Sequence, residues 1–167
     1  MSEKEEKIFN EIFLQFHPVL LRFGKKIVQN EYLAEESIQE LFIYIYEKDV
    51  QLSTIGNLRA YLFTAFRRRL LLKKQSTPQL IDIASISTDI LFQASDFADN
   101  ISSSNQRNAQ LASLLNDLPW RQREALFLKY FNKLSTKEIA NIMGIQPQVV
   151  SNTIYKALKK MKDIAHS

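Results

Sequence analysis

Residues 136–162 read TKEIANIMGIQPQVVSNTIYKALKKMK, and the spacing within this stretch decides the fold of the chain's second half. Ser135 or Thr136 supplies a helix N-cap, and Ile139, Ala140 and Met143 turn inward at helical intervals. Gly144 can take the positive φ that ends a helix in a short turn, and Pro147 suits the first position of the next helix. Ala140 is small where two helices cross closely, while Ile145 and Val150 fill the angle between them. Val149, Val150, Ile154, Leu158 and Met161 give the second helix its buried side. The pattern predicts a helix-turn-helix, a spacing shared by helical hairpins that serve only as packing units. Its second helix exposes Gln146, Gln148, Ser151, Asn152 and Tyr155, with Lys156, Lys159 and Lys160 extending a basic surface. Gln and Asn match adenine edges bidentately, Ser serves either base type, and lysines attract phosphate whatever the sequence.

Upstream, Leu111, Leu114, Leu115 and Leu118 form a helical stripe that Pro119 closes, and Ala125, Leu126, Leu128 and Tyr130 belong to a further helix. The first half also reads as helices. Ile8, Ile12, Phe13, Phe16, Leu20 and Phe23 make one amphipathic stripe, which Pro18 interrupts or kinks. Between Tyr32 and Glu47, Ile38, Leu41, Phe42 and Ile45 share a face, and a polar loop from Lys48 to Asn57 precedes a third helix over 58–74. Residues 75–105 are rich in Ser, Thr, Asp and Asn, yet carry Ile81, Ile83, Ile86, Ile90, Leu91, Phe92 and Phe97. They read either as a flexible connector whose apolar side chains dock on a partner or as a short core helix of the N-terminal domain.

With only 3 Gly and 4 Pro in 167 residues, long helices are favoured over a many-turned β protein. The expected fold is all-α, with two small helical domains at 8–74 and 108–165 joined by an acidic linker at 75–107. Residues 1–74 carry +2, residues 75–104 carry −4 and residues 105–167 carry +6, the layout of two polyanion-facing modules around a segment that avoids nucleic acid. The chain has no cysteine, which excludes disulfides and thiolate chemistry. No phosphate loop or nucleophile motif assembles, and His17 and His166 have no credible metal partner, so neither enzyme, cofactor nor metal is expected. The charged N-terminus lacks a signal-peptide core and no apolar run reaches spanning length, so the expectation is a cytoplasmic protein without membrane insertion.

Two segments carry a resemblance. The stretch LNDLPWRQREALFLKYFNKLSTKEIANIMGIQPQVVSNTIYKALKKMK resembles sigma region four, with Leu118-Pro119, Arg121-Gln122-Arg123-Glu124 and Leu134-Ser135 in their expected places. The same half also resembles the DNA-binding domain of two-component response regulators. AEESIQELFIYIY (Ala34 to Tyr46) resembles sigma region two, and NLRAYLFTAFRRRLLLKK (Asn57 to Lys74) resembles the helix that follows it there. Together they resemble the extracytoplasmic-function (ECF, group IV) sigma factors of the sigma-70 superfamily. The resemblance implies a subunit that binds core RNA polymerase, through its clamp helices and flap, and directs transcription initiation at promoter DNA. An anti-sigma protein is a common further partner in that family and would compete for the same acidic and apolar surfaces.

Under that resemblance the polymerase face is Glu36, Gln39, Glu40 and Ile43, which lie at i, i+3, i+4 and i+7 away from the buried side. The −10 face is Arg59, Tyr61, Phe63, Phe66, Arg67 and Arg68, where cations beside aromatics suit a melted strand. In the family the loop before this helix cradles a flipped base, a task that falls within Lys48 to Asn57. The −35 face is Gln146, Gln148, Ser151, Asn152, Tyr155, Lys156 and Lys159. Departures from the family pattern are Tyr61 for Trp, Arg68 for Asn, Leu72 for an acidic residue, and Ser151 and Thr153 at frequently basic positions. Asp82, Asp89, Asp96 and Asp99 fit a connector that runs through the polymerase RNA-exit region. Two other readings remain: a free-standing helix-turn-helix transcriptional regulator, and a helical adaptor that makes protein contacts only.

Overall fold

A computed structural model describes residues 1–75, 86–97 and 104–165. Among these every regular element is helical: α1 (Glu3–Val28), α2 (Glu31–Glu47), α3 (Leu58–Lys74), α4 (Asn105–Asn116), α5 (Trp120–Tyr130), α6 (Thr136–Met143) and α7 (Pro147–Ala165), with single 3-10 turns at Leu52–Thr54 and Ala94–Phe97. Ile81, Asp82, Ile83, Asp99 and His166, singled out above, lie outside the described residues. Two compact units result. The first holds α1 to α3, and the second holds residues from Ser87 onward, with Asn141–Gly144 counted to the first.

In the first unit, α1 starts at a reciprocal cap in which the Ser2 hydroxyl accepts from Glu5 N–H and the Glu5 carboxylate accepts from Ser2 N–H. The helix then runs unbroken for 26 residues through Pro18, so the expected interruption does not occur. Packing outweighs the lost hydrogen bond there: Phe16, Leu20, Phe23 and Ile27 on one side of Pro18 and beyond are buried as a continuous stripe. Ala34, Ile38, Leu41 and Ile45 of α2 and Leu62, Phe63, Phe66 and Leu70 of α3 complete this core. At Gly24 the three helices pack closely. A methyl added to it would sit 2.7 Å from Phe66 Cζ and 2.8 Å from Ala34 Cβ, so only glycine fits without moving a neighbour.

In the second unit, Ile90 and Phe92 of the segment expected to be a connector reach the core. Ile90 and Phe92 are buried, and Phe92 lies with Phe97, Phe127 and Phe131 in a cluster whose ring centroids are 5.1–6.2 Å apart. Asn116, at the end of α4, holds both backbone groups of Phe92: its carboxamide accepts from Phe92 N–H at 2.8 Å and donates to Phe92 O at 2.9 Å. Residues 87–97 therefore extend the second unit upstream of the expected boundary at 108 and join neither the N-terminal domain nor a free linker. Apolar area decides this, because Phe92 and Phe97 have the aromatic side of α5 to cover. Arg123 makes the return link, donating to Leu118 O at 2.8 Å and Asn116 O at 3.2 Å, so that one guanidinium closes the carbonyl end of α4.

Candidate polymerase- and DNA-binding surfaces

Asn30 caps α2 by accepting from Leu33 N–H at 3.0 Å, and the helix divides cleanly into two sides. Ser37, Ile38, Leu41, Phe42 and Ile45 are buried, whereas Glu36, Gln39, Glu40 and Ile43 lie on the partly or fully exposed side, with Ile43 53% exposed. The acidic side chains are not bare. Lys73 of α3 places its ammonium 2.6 Å from Glu40 Oε1 and 3.3 Å from Glu36 Oε2. The hydrogen bond to Glu40 raises the Lys73 pKa above the ordinary lysine value; partial burial opposes this and Glu36 assists it. Beside them the His17 Nε2 lies 2.8 Å from both oxygens of Glu35, and Gln39 donates to the same carboxylate at 3.3 Å.

On α3 the structure separates the residues expected to meet the −10 strand. Arg59 and Tyr61 are half-buried and Arg68 is exposed. Phe63 and Phe66 are fully buried against Phe23, at centroid distances of 5.2 and 6.4 Å, and Arg67 is only 1% exposed. Phe63 and Phe66 cannot stack on a strand from where they stand, so the two do not belong to a −10 face. The reason is the helical period: the stripe Leu62, Phe63, Phe66, Leu70 is the face α3 needs for packing.

What α3 presents instead is a pairing across helices. The Arg69 guanidinium lies 5.0 Å over the ring of Tyr44, which is 42% exposed on α2. Tyr61 belongs to the same cluster: burial first, then the neighbouring Tyr44 hydroxyl, push its pKa up, against the pull of Arg69. Sequence reasoning missed Tyr44 and Arg69 because their contact joins residues on different helices, and no spacing within either helix signals it.

The helix-turn-helix has the predicted local structure. Ser135 and Glu138 form a reciprocal cap at the start of α6, at 3.1 and 2.9 Å. Gly144 has φ 69°, and Ile145 N–H donates back to Ala140 O at 3.0 Å, closing the turn. Ile139, Ala140, Val150, Ile154 and Ala157 are buried. Val149 and Leu158, expected on the inner side of α7, are each 44% exposed, since the buried stripe runs through Val150, Ile154 and Ala157. Gln146, Gln148, Ser151, Asn152, Tyr155, Lys156 and Lys159 are all exposed on α7 and the turn before it. Gln148 Nε2 donates to Asn152 Oδ1 at 3.1 Å, which sets the two amides side by side one turn apart. Thr153 bonds its hydroxyl to Val149 O at 2.7 Å and takes no part in that row.

Residues 108–161 match the family described as sigma-70, region 4. Over 153 aligned residues the chain is 24% identical to the ECF RNA polymerase sigma factor SigM of Bacillus subtilis, covering 92% of each protein. It is 23% identical over 163 residues to the RNA polymerase sigma-E factor of Streptomyces avermitilis, covering 98% of this chain and 88% of that one. A similarity of 24% over 168 positions links it to bacteriocin UviA of Clostridium perfringens, covering 95% of this chain and 89% of that protein. The chain thus carries a sigma-70 region 4 and is similar along nearly its whole length to ECF-type sigma factors.

That similarity supports a role in directing transcription initiation by RNA polymerase. The region four match ends at residue 161, inside α7, and begins three residues into α4. Phe92 and Phe97 lie upstream of the matched segment and pack on Phe127 and Phe131 within it. Among the described residues no group of acids, histidines or cysteines is placed to hold a metal ion, and no helix is long and apolar enough to cross a membrane.

Proposed function

We propose that this sigma factor makes three working contacts, each carried by one helix face. Glu36, Gln39, Glu40 and Ile43 of α2 meet the clamp helices of core polymerase, an acidic stripe with one exposed apolar residue suiting a protein better than DNA. Arg59, Tyr61 and Arg68 of α3, joined by Tyr44 and Arg69, meet the melted −10 strand: Tyr44 and Tyr61 supply stacking surfaces and the arginines hold phosphates. The exposed row on α7 reads the −35 duplex while the second domain rests on the polymerase flap. The polymerase performs the chemistry in the cytoplasm, and an anti-sigma protein would act by covering the α2 face.

The observation that carries this reading is the α7 row. Gln148 and Asn152 stand paired and exposed, with Lys156 and Lys159 continuing along the same helix toward solvent. Two amides one turn apart offer bidentate contacts to successive bases, and the lysines hold the helix on the phosphates. Replacing Gln148 and Asn152 with Ala should cost about 1–3 kcal/mol of discrimination for each base pair read. Transcription by the reconstituted holoenzyme, measured across a set of −35 variants, checks it. A variant that ranks those promoters as the unmodified chain does would remove both residues from the reading surface. Loss on all promoters alike would instead indicate a phosphate-positioning role.

A further inference from the structure

The acidic face of α2 already has a cation on it. The ammonium of Lys73, on α3, bridges Glu40 and Glu36 at 2.6 and 3.3 Å, and it engages one oxygen of each. Both carboxylates keep about two-fifths of their side-chain surface exposed, at 43% for Glu36 and 40% for Glu40, whereas Lys73 is 25% exposed. A partner cation can therefore reach the carboxylates, but it arrives beside a positive charge a few ångströms away. The two cations repel at that range, and the acids are half neutralised before contact. A lysine suits such an arrangement, because its ammonium is strongly hydrated and sits on a flexible four-carbon stem that can swing out to water.

We propose that Lys73 is a built-in competitor for the polymerase-binding face, and that docking on core polymerase exchanges the Lys73 ammonium for a cation of the partner. This rests on the reading of Glu36 and Glu40 as polymerase contacts. The exchange lowers the affinity of the free sigma factor for core and makes that affinity depend on an internal ion pair. It also restricts the partner: a bidentate guanidinium can out-compete an ammonium for the two carboxylates, and a second lysine has no such advantage.

The test is equilibrium binding of the labelled full chain to core RNA polymerase, with circular dichroism as the check on folding. Lys73→Met should bind about two- to tenfold more tightly than the unmodified chain, in keeping with the small worth of part-exposed ion pairs. Lys73→Gln should repeat the gain, and Lys73→Arg should bind no more tightly than the unmodified chain. In a Glu36→Gln, Glu40→Gln background the Lys73→Met change should have no effect. Tighter binding cannot arise from misfolding, so a gain supports the exchange directly. Equal or weaker binding by a folded Lys73→Met or Lys73→Gln chain overturns it. So does an equal gain in the glutamine background, which would show a general charge effect. The separate variant Glu36→Lys, Glu40→Lys tells the two failures apart: if it binds core normally, the assignment of the α2 face itself is wrong.

Discussion

Glu36→Lys, Glu40→Lys is expected to reduce affinity for core RNA polymerase by about 100-fold or more, because it places like charges where opposite charges met, at a cost of several kcal/mol. Both side chains lie on the exposed side of α2, away from Ile38, Leu41 and Ile45, so the helical content and unfolding transition should change little. The two new lysines would also face Lys73, which loses both carboxylate partners. Surface repulsion of this kind costs the fold about 1 kcal/mol at most. Co-purification with polymerase and a titration of core against labelled chain measure the effect. Normal binding by the folded double variant would dismiss α2 as the docking face.

The second large effect concerns stability and separates the two kinds of residue on α3. Phe66→Ala should cost about 3–5 kcal/mol, the usual penalty for emptying a fully buried aromatic site. Phe66 is fully buried, lies 6.4 Å from Phe23 between centroids, and fills the space that Gly24 leaves open. For a domain whose whole stability is about 5–15 kcal/mol, that loss should be plain in a thermal or urea melt. Tyr61→Ala is the contrast. Tyr61 is half-buried beside Tyr44 and Arg69, so its removal should leave the melt nearly unchanged and slow promoter opening. Permanganate reactivity of the −10 thymines reads the opening step. If Phe66→Ala melts normally and loses only strand opening, Phe66 is a stacking residue after all and the packing account of α3 is wrong.

The contrast between Phe66 and Tyr61 shows where the sequence was legible. Helical periodicity located α1, α2 and α3, and the turn chemistry of Gly144 and Pro147 located α6 and α7 to within a residue or two. Exposure of the α7 row could also be read from spacing, since Ile139, Ala140, Val150 and Ile154 leave only one side for it. On α3 the same method had no leverage, because Arg59, Phe63 and Arg67 share a face at i+4 whether that face is core or surface. For Phe63 and Phe66 the aromatic ring of Phe23 on α1 settles the matter, and that is a tertiary fact. The connector was unreadable for a similar reason. Its apolar residues fitted docking on a partner or a core helix of the N-terminal domain, yet Phe92 finds a clamp on Asn116 and three aromatic neighbours. Composition is a statement about averages, and a few aromatics that find a partner surface outweigh it. The ion pairs on Glu36 and Glu40 escaped notice because Lys73 lies more than thirty positions away along the chain.

The central claim is that this chain recognises promoters as a polymerase subunit and not as an independent DNA-binding protein. It is tested most directly by footprinting and run-off transcription on the same promoter fragments, with and without purified core enzyme. Protection of both the −35 and −10 elements and a discrete run-off product are expected only when core and this chain are both present. Specific protection of duplex DNA by the chain alone, with no transcript on addition of core, would contradict it.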